Sequence, residues 1–143
     1  ILSLDYPARP RGLAPDADES LETLRQRADA PKTAGQLEKG GVLFAFASAG
    51  LKEPADFVKN AARAVTAGLS PEAAVRALTI NAARIAGVAD RLGSLEAGKI
   101  ANVIVTDGDL FGDKTTIKHV FIDGRLVKLE PAPTTRSTRS SRS

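Results

Sequence analysis

The sequence predicts a mixed α/β fold, and three observations support this. The run Val42–Ala47, VLFAFA, is continuously apolar and lies between Gly41 and the small residues Ser48-Ala49-Gly50. A strand without polar alternation is typical of a parallel sheet whose two faces are covered by helices. Helical patterns follow over residues 54–67 and 70–86, and apolar segments with strand composition come after them. A strand, then helices, then a β-module is the order expected at the end of an α/β barrel.

The chain before this run is predicted to form a strand end, a loop and two helices. Residues 1–5 are apolar at alternate positions, as at the end of a strand, and residues 7–18 hold three prolines and form a loop. Residues 18–28 carry leucines at helical spacing, with acids at the start and arginines later, as the helix dipole favours. Residues 34–39 are expected to form a short helical turn.

The two helices after the apolar run have clear start and stop signals. Pro54 fits a first helical turn, and Gly68 is suited to end that helix. The next helix begins at Ser70-Pro71-Glu72, which places a serine at the N-cap, a proline at the first helical position and an acid in the first turn. A short alanine-rich helix over residues 81–86 then stops at Gly87.

Strands and tight turns are predicted after Gly87. Leu92–Leu95 and Ile100–Val105 have strand composition, and the turn between them contains Gly98. Asp123-Gly124 lies between apolar segments within residues 118–128, and Asp-Gly is a strong signal for a two-residue hairpin turn because both residues need positive φ. We therefore predict a β-module, with a structural role for this hairpin.

Composition limits the function classes. The chain has 143 residues, 43% of them hydrophobic and 26% charged, as in ordinary globular domains, and no apolar run approaches the roughly 20 residues that cross a bilayer. The absence of cysteine excludes disulfides and thiolate chemistry. The net charge of +3 equals the charge of residues 131–143, a serine- and arginine-rich segment that we expect to be a disordered basic tail. Without aromatic residues there, we expect no nucleic-acid partner, and we expect no membrane partner.

Residues 78–109, LTINAARIAGVADRLGSLEAGKIANVIVTDGD, closely resemble the C-terminal signature of the amidohydrolase superfamily, in its imidazolonepropionase-like branch. Family members show LT-x-N-x-A on a helix, then a glycine, then G-S-L-E-x-G-K-x-A-D before an apolar strand. The sequence departs from this pattern at Asn102, where the family usually has Asp. The matching positions are Leu78, Thr79, Asn81, Ala83, Gly87, Gly93, Ser94, Leu95, Glu96, Gly98, Lys99 and Ala101.

The resemblance implies the C-terminal part of a (β/α)8 metal-dependent hydrolase barrel plus part of the adjoining small β-sandwich. On this view residues 1–90 are the barrel portion, residues 91–130 are the β-sandwich portion, and residues 131–143 are the tail. The chain would then be a fragment, whose open strand edges favour self-association.

The resemblance also implies hydrolysis of a carbon–nitrogen bond, in an amide, a cyclic amide or a peptide-like substrate, by metal-activated water. A zinc-like divalent metal is expected in a full-length active member, held largely by histidines, together with an Asp after the eighth barrel strand. Aligning that strand with residues 42–47 places Ala49 where the Asp is expected. Alanine can neither bind a metal nor accept a proton, so this chain is predicted to hold no metal or catalytic residue and to be inactive alone. Ser48 and Gly50 are expected to line a substrate pocket at the strand end.

The loss at Ala49 motivates an alternative, a non-catalytic binding protein on the amidohydrolase scaffold. Two other groups contain side chains that can bind a metal. His119, the single histidine, lies in a predicted strand and is better interpreted as a surface or interface side chain. Asp107, Asp109 and Asp113 lack the spacing of a calcium loop and are predicted to form a solvated acidic loop.

Overall fold

Across residues 1–129, the part of the chain that the computed structural model describes, five α-helices and two small sheets form a mixed α/β fold, as predicted. Strand β1 and helices α1 and α2 come first, with a 3-10 turn at Ala30–Lys32 between the helices; β2 and helices α3, α4 and α5 follow, and then strands β3, β4 and β5. The first half comprises β1 (Leu2–Ser3), α1 (Leu21–Asp29), α2 (Thr33–Lys39), β2 (Phe46–Ala47) and α3 (Asp56–Thr66). The second half comprises α4 (Pro71–Leu78), α5 (Ile80–Ile85), β3 (Val103–Thr106), β4 (Ile117–Ile122) and β5 (Arg125–Val127).

Strands β1 and β2 form a parallel pair, with Leu2 opposite Phe46 and Ser3 opposite Ala47. A parallel strand is therefore present in the predicted run of residues 42–47, but it covers only Phe46–Ala47. The prediction that the whole run is buried on both faces is wrong, because Val42 is 51% exposed and Leu43 is 54% exposed. The Val42 amide donates to the Leu37 carbonyl at 3.0 Å, so the start of the run is used to close the C-terminus of α2.

The core lies between the parallel pair and helices α2, α3 and α4. Leu4, at 0% exposed, packs with large aromatic residues from the strands and with alanines from the helices. Small side chains let the helices approach the sheet closely. The buried members of this cluster are Leu4, Tyr6, Ala34, Phe44, Phe46, Ala61, Ala64, Leu69, Ala74 and Ala77. Helix α1 contributes no buried residue, so the leucines at its helical spacing remain at the surface.

Several predicted helix ends are confirmed. Ser70 is the N-cap of α4, and its hydroxyl accepts a hydrogen bond from the Ala73 amide. The Ser70 amide and hydroxyl in turn donate to the Glu38 carboxylate, which ties the end of α2 to the start of α4. Helix α3 begins at Asp56, two residues later than predicted, because Pro54 lies in a turn before it. Gly87 has a φ of +72° after α5, as expected.

The β-module is a three-stranded antiparallel sheet in the order β3-β4-β5. Asp123 and Gly124 have φ values of 52° and 75°, which confirms the hairpin turn. The strand predicted at Leu92–Leu95 is wrong. A Cβ on Gly93 would lie 2.8 Å from atoms of Ile80 and Ala83, so this segment packs closely over α5 and forms no ladder. The second predicted strand begins at Val103, three residues later than expected.

The proposed boundary near residue 90 and the expected self-association stay predictions. The predicted basic tail, residues 131–143, lies outside the described residues. Within the described part, no helix has the length and apolar character needed to cross a membrane.

Candidate functional site

The candidate site lies at the edge where the parallel strands β1 and β2 both end. Carboxyl ends of parallel strands meet at one edge of a sheet, and this edge is where barrel proteins bind ligands. The Ser3 hydroxyl donates to the Ala49 carbonyl at 2.8 Å and accepts a hydrogen bond from the Asp5 amide at 3.1 Å. Ser3 therefore joins the two segments that leave the strands.

Ala49 lies exposed in the turn that follows β2, together with Ser48 and Gly50. The structure thus places these residues at the predicted strand end. Sequence reasoning missed Asp5, which follows β1 at the same edge. A Cβ built on Gly50 would lie 2.7 Å from Asp5 Oδ2, so this carboxylate rests directly against the turn. The signal was available, because Asp5 is the first charged residue of the chain and the last residue of the predicted strand end.

A cavity of about 720 Å³ opens beside this edge, between the segment that follows β1 and helix α3. Five cationic and two acidic side chains contribute to its wall. Ser48 and Gly50 lie next to it without lining it, and their contact with a substrate stays a prediction. The lining residues are Asp5, Tyr6, Pro7, Ala8, Arg9, Pro10, Arg11, Leu51, Lys52, Asp56, Lys59, Asn60 and Arg63.

Helix α3 supplies one wall of the cavity through residues at helical spacing. Asp56, Lys59, Asn60 and Arg63 lie on one face because they are separated by three, four and seven positions. The Asn60 side-chain amide donates to the Leu4 carbonyl at 2.8 Å. This bond fixes the helix to the chain that leaves β1.

Tyr6, in the segment that follows β1, also lines the cavity and contacts Arg63 of α3. The Arg63 guanidinium lies 4.9 Å from the centre of the Tyr6 ring, within the range of a cation–π contact. Tyr6 is only 8% exposed, and its hydroxyl has no hydrogen-bond partner among residues 1–129. Burial raises the pKa of this hydroxyl, and the charge of Arg63 opposes that effect.

Arg9 stabilises the loop that borders the cavity. Its guanidinium donates to the Ala14 carbonyl at 2.7 Å, and its Nε pairs with Glu19 at 3.3 Å. Glu19 also pairs with Arg27, and this hydrogen bond lowers the pKa of the Glu19 carboxyl. Four other cations of the lining form no ion pair with any described residue. They are Arg11, Lys52, Lys59 and Arg63.

The residues present do not fit a metal site. No three side chains of His, Cys, Asp or Glu converge anywhere in residues 1–129. His119 is exposed on β4, in the β-module, and its ring lies 6.4 Å from Phe121. Asp107 accepts hydrogen bonds from Thr116 and pairs with Lys118 at 3.0 Å, and the Thr116 hydroxyl is the main cause that holds the pKa of Asp107 well below its usual range.

Comparisons with known proteins show likeness over most of the chain. Residues 13–127 match the profile of the amidohydrolase family. Adenine deaminase 2 of Jannaschia sp. is 39% identical over 79 residues, which are 52% of this chain and 12% of that protein. Adenine deaminase of Moorella thermoacetica is 40% identical over 65 residues, 46% of this chain and 10% of that protein. The chain therefore spans only about a tenth of these curated relatives.

Solved structures share the same fold. An amidohydrolase from Thermotoga maritima MSB8 superimposes with a TM-score of 0.65 at 36% identity, over 73% of this chain and 28% of that chain. A Xaa-Pro dipeptidase with bound methionine superimposes with a TM-score of 0.62 at 24% identity, over 75% of this chain and 27% of that chain, and this likeness concerns the fold alone.

Proposed function

Since residues 13–127 match its profile, the chain belongs to the amidohydrolase family, and we propose that the protein hydrolyses a carbon–nitrogen bond of a small molecule. The observation that carries the proposal is the position of the cavity. It opens beside the edge where two parallel strands end, and the carboxyl ends of barrel strands are where barrel enzymes of many kinds bind their substrates.

The names of the relatives support the proposal that the bond hydrolysed is a carbon–nitrogen bond. Two of them are adenine deaminases, and a hydrolytic deamination replaces an amino group on carbon by an oxygen from water and releases ammonia. Amides, cyclic amides and peptide-like compounds are cleaved at the same kind of bond. The proposed substrate class is therefore a small molecule with a hydrolysable carbon–nitrogen bond.

We propose that this chain supplies one wall of the substrate site. Residues 1–90 would belong to the barrel and residues 91–130 to the β-sandwich beside it. The chain spans 28% of the Thermotoga amidohydrolase, so activity is expected only where further residues complete the barrel. A metal of the family would have to be held by those further residues, because the described residues present no metal-binding group.

Turnover by the protein as its gene encodes it tests the proposal. Ammonia and amine release would be measured with adenine, cyclic amides and dipeptides, with zinc added. We expect turnover of at least one class, and Ala8→Trp, which places a large ring in the cavity wall, should lower kcat/KM by about tenfold or more. Ala97→Trp, at an exposed turn outside the lining, is the matched control and should leave kcat/KM unchanged.

Absence of turnover with every class, in a folded protein with zinc present, would refute the proposal. If ligands still bound in the cavity under those conditions, the result would favour a non-catalytic binding protein, the alternative that Ala49 suggests.

A further inference from the structure

The positive charge of the cavity is a local feature. The tail holds three of the 20 basic residues of the chain and no acid, so residues 1–130 contain equal numbers of basic and acidic residues, 17 of each. Against this neutral background, the cavity wall carries five cationic and two acidic side chains. We propose that the cavity binds an oxyanion, the carboxylate or phosphate group of a small-molecule ligand, chiefly through Lys59 and Arg63.

The two cations on α3 repel each other at a cost to the stability of the helix. Lys59 and Arg63 are four positions apart on one helical face, where like charges repel and destabilise a helix. Asp56 lies three positions before Lys59 and forms no ion pair with it. An oxyanion between the two cations would relieve this repulsion.

Arg63 is held in position before any ligand arrives. Its guanidinium lies over the Tyr6 ring, which is itself buried, and α3 is fixed to the neighbouring chain by the Asn60 hydrogen bond. A guanidinium presents parallel N–H groups that match the two oxygens of a carboxylate or phosphate. Preorganisation of this kind reduces the entropy lost on binding.

Asp5 defines the orientation of the ligand, because an anion beside this carboxylate would be repelled. Asp5 lies against Gly50 at the strand edge, whereas Lys59 and Arg63 project from α3 together with a single acid, Asp56, one turn before Lys59. The oxyanion is therefore assigned to the α3 side of the cavity, and the remainder of the ligand extends toward the strand ends. That this ligand is the substrate rests on the proposed function, whereas the binding itself does not.

Calorimetric titration of the protein as its gene encodes it tests the proposal. The probes are inorganic phosphate, glutarate and glutaramide, the last being a neutral analogue of glutarate. We expect saturable binding of phosphate or glutarate, no binding of glutaramide, and weakening by added salt because the cations are exposed. Binding of only one of the two anions would identify the group, phosphate or carboxylate, that the cavity prefers.

Substitutions of Lys59 and Arg63 test whether these two residues bind the anion. Arg63→Gln and Lys59→Gln should each weaken anion binding by about tenfold, the usual effect of removing a hydrogen bond to a charged group. Arg63→Lys should retain part of the affinity, because it keeps the charge and loses the paired N–H groups. Arg84→Gln and Lys114→Gln, which remove exposed cations outside the lining, are matched controls and should bind as the wild type does.

Equal affinity in the wild type and the Lys59→Gln/Arg63→Gln double variant, or equal losses in the controls, would overturn the proposal. If loss of the Tyr6 contact unfolds Arg63→Gln, then Lys59→Gln alone decides the outcome. Anion binding without turnover would refute the proposed function and keep this inference. Turnover with a KM that is unchanged in Lys59→Gln and Arg63→Gln, for charged and neutral substrates alike, would support the proposed function and refute this inference.

Discussion

Gly35 is the position where the packing of the helices predicts the clearest effect of a single methyl group. It lies buried in α2, and a Cβ there would come within 3.0 Å of the Gly68 carbonyl carbon and oxygen and 3.2 Å of the Leu69 nitrogen. These are backbone atoms, and the Leu69 amide is held by the Ala64 carbonyl at 3.1 Å. The added methyl can therefore be accommodated only if α2 moves away from the end of α3.

The expected cost of Gly35→Ala follows from two opposing effects. Overpacking costs about 1–3 kcal/mol, and replacing glycine by alanine inside a helix contributes about 0.5–1 kcal/mol of stability. We expect a net loss of about 1–2 kcal/mol in the free energy of unfolding, measured by urea denaturation followed by circular dichroism. Gly40→Ala is the control, since a Cβ there has its nearest neighbour at 3.5 Å and φ is −79°. A Gly35→Ala protein as stable as the wild type would show that the two helices do not pack as described.

Two further changes probe the contacts around the core. Hydrogen bonds from the Ser70 hydroxyl, and then from its amide, lower the pKa of Glu38 below its ordinary 4.5, so the contact stabilises the fold above that pH and is lost on acidification. Between about pH 6 and pH 3 the free energy of unfolding should fall more in the wild type than in Glu38→Gln, and parallel pH curves would contradict this. Leu4→Ala should cost about 2–5 kcal/mol by urea denaturation, because the side chain is fully buried; a loss below about 1 kcal/mol would exclude a core role.

The sequence correctly predicted a helix start and a tight turn that depend on short sequence motifs. Ser70 and Pro71 start α4, and Asp123-Gly124 form the hairpin, because a cap and a tight turn depend on only a few neighbouring residues. The prediction of a strand at Leu92–Leu95 was wrong because strand composition does not produce a strand without a pairing partner. The prediction that Val42 is buried in the sheet was wrong because its amide instead closes the C-terminus of α2.

The sequence predicted the strand end beside the cavity but not the side chains that line the cavity. Ser48, Ala49 and Gly50 lie at that strand end outside the lining, and contact of Ser48 and Gly50 with a substrate stays a prediction. The residues that give the cavity its charge come from three separate segments, and only the fold brings Arg11, Lys52 and Arg63 into the lining of one cavity. The spacing of Lys59 and Arg63 was visible in the sequence, but their contact with the chain after β1 was not.

The parallel pairing of β1 with β2 has a consequence for the order of folding. Leu2 meets Phe46 across about 40 residues of chain, whereas β3, β4 and β5 pair with their neighbours in sequence. We therefore expect the β-module to form first from local contacts and the parallel pair to form later, because closing its longer loop costs more entropy. Since the cavity lies beside the end of that pair, we expect it to form late as well, and a ligand bound there should slow unfolding of the N-terminal half.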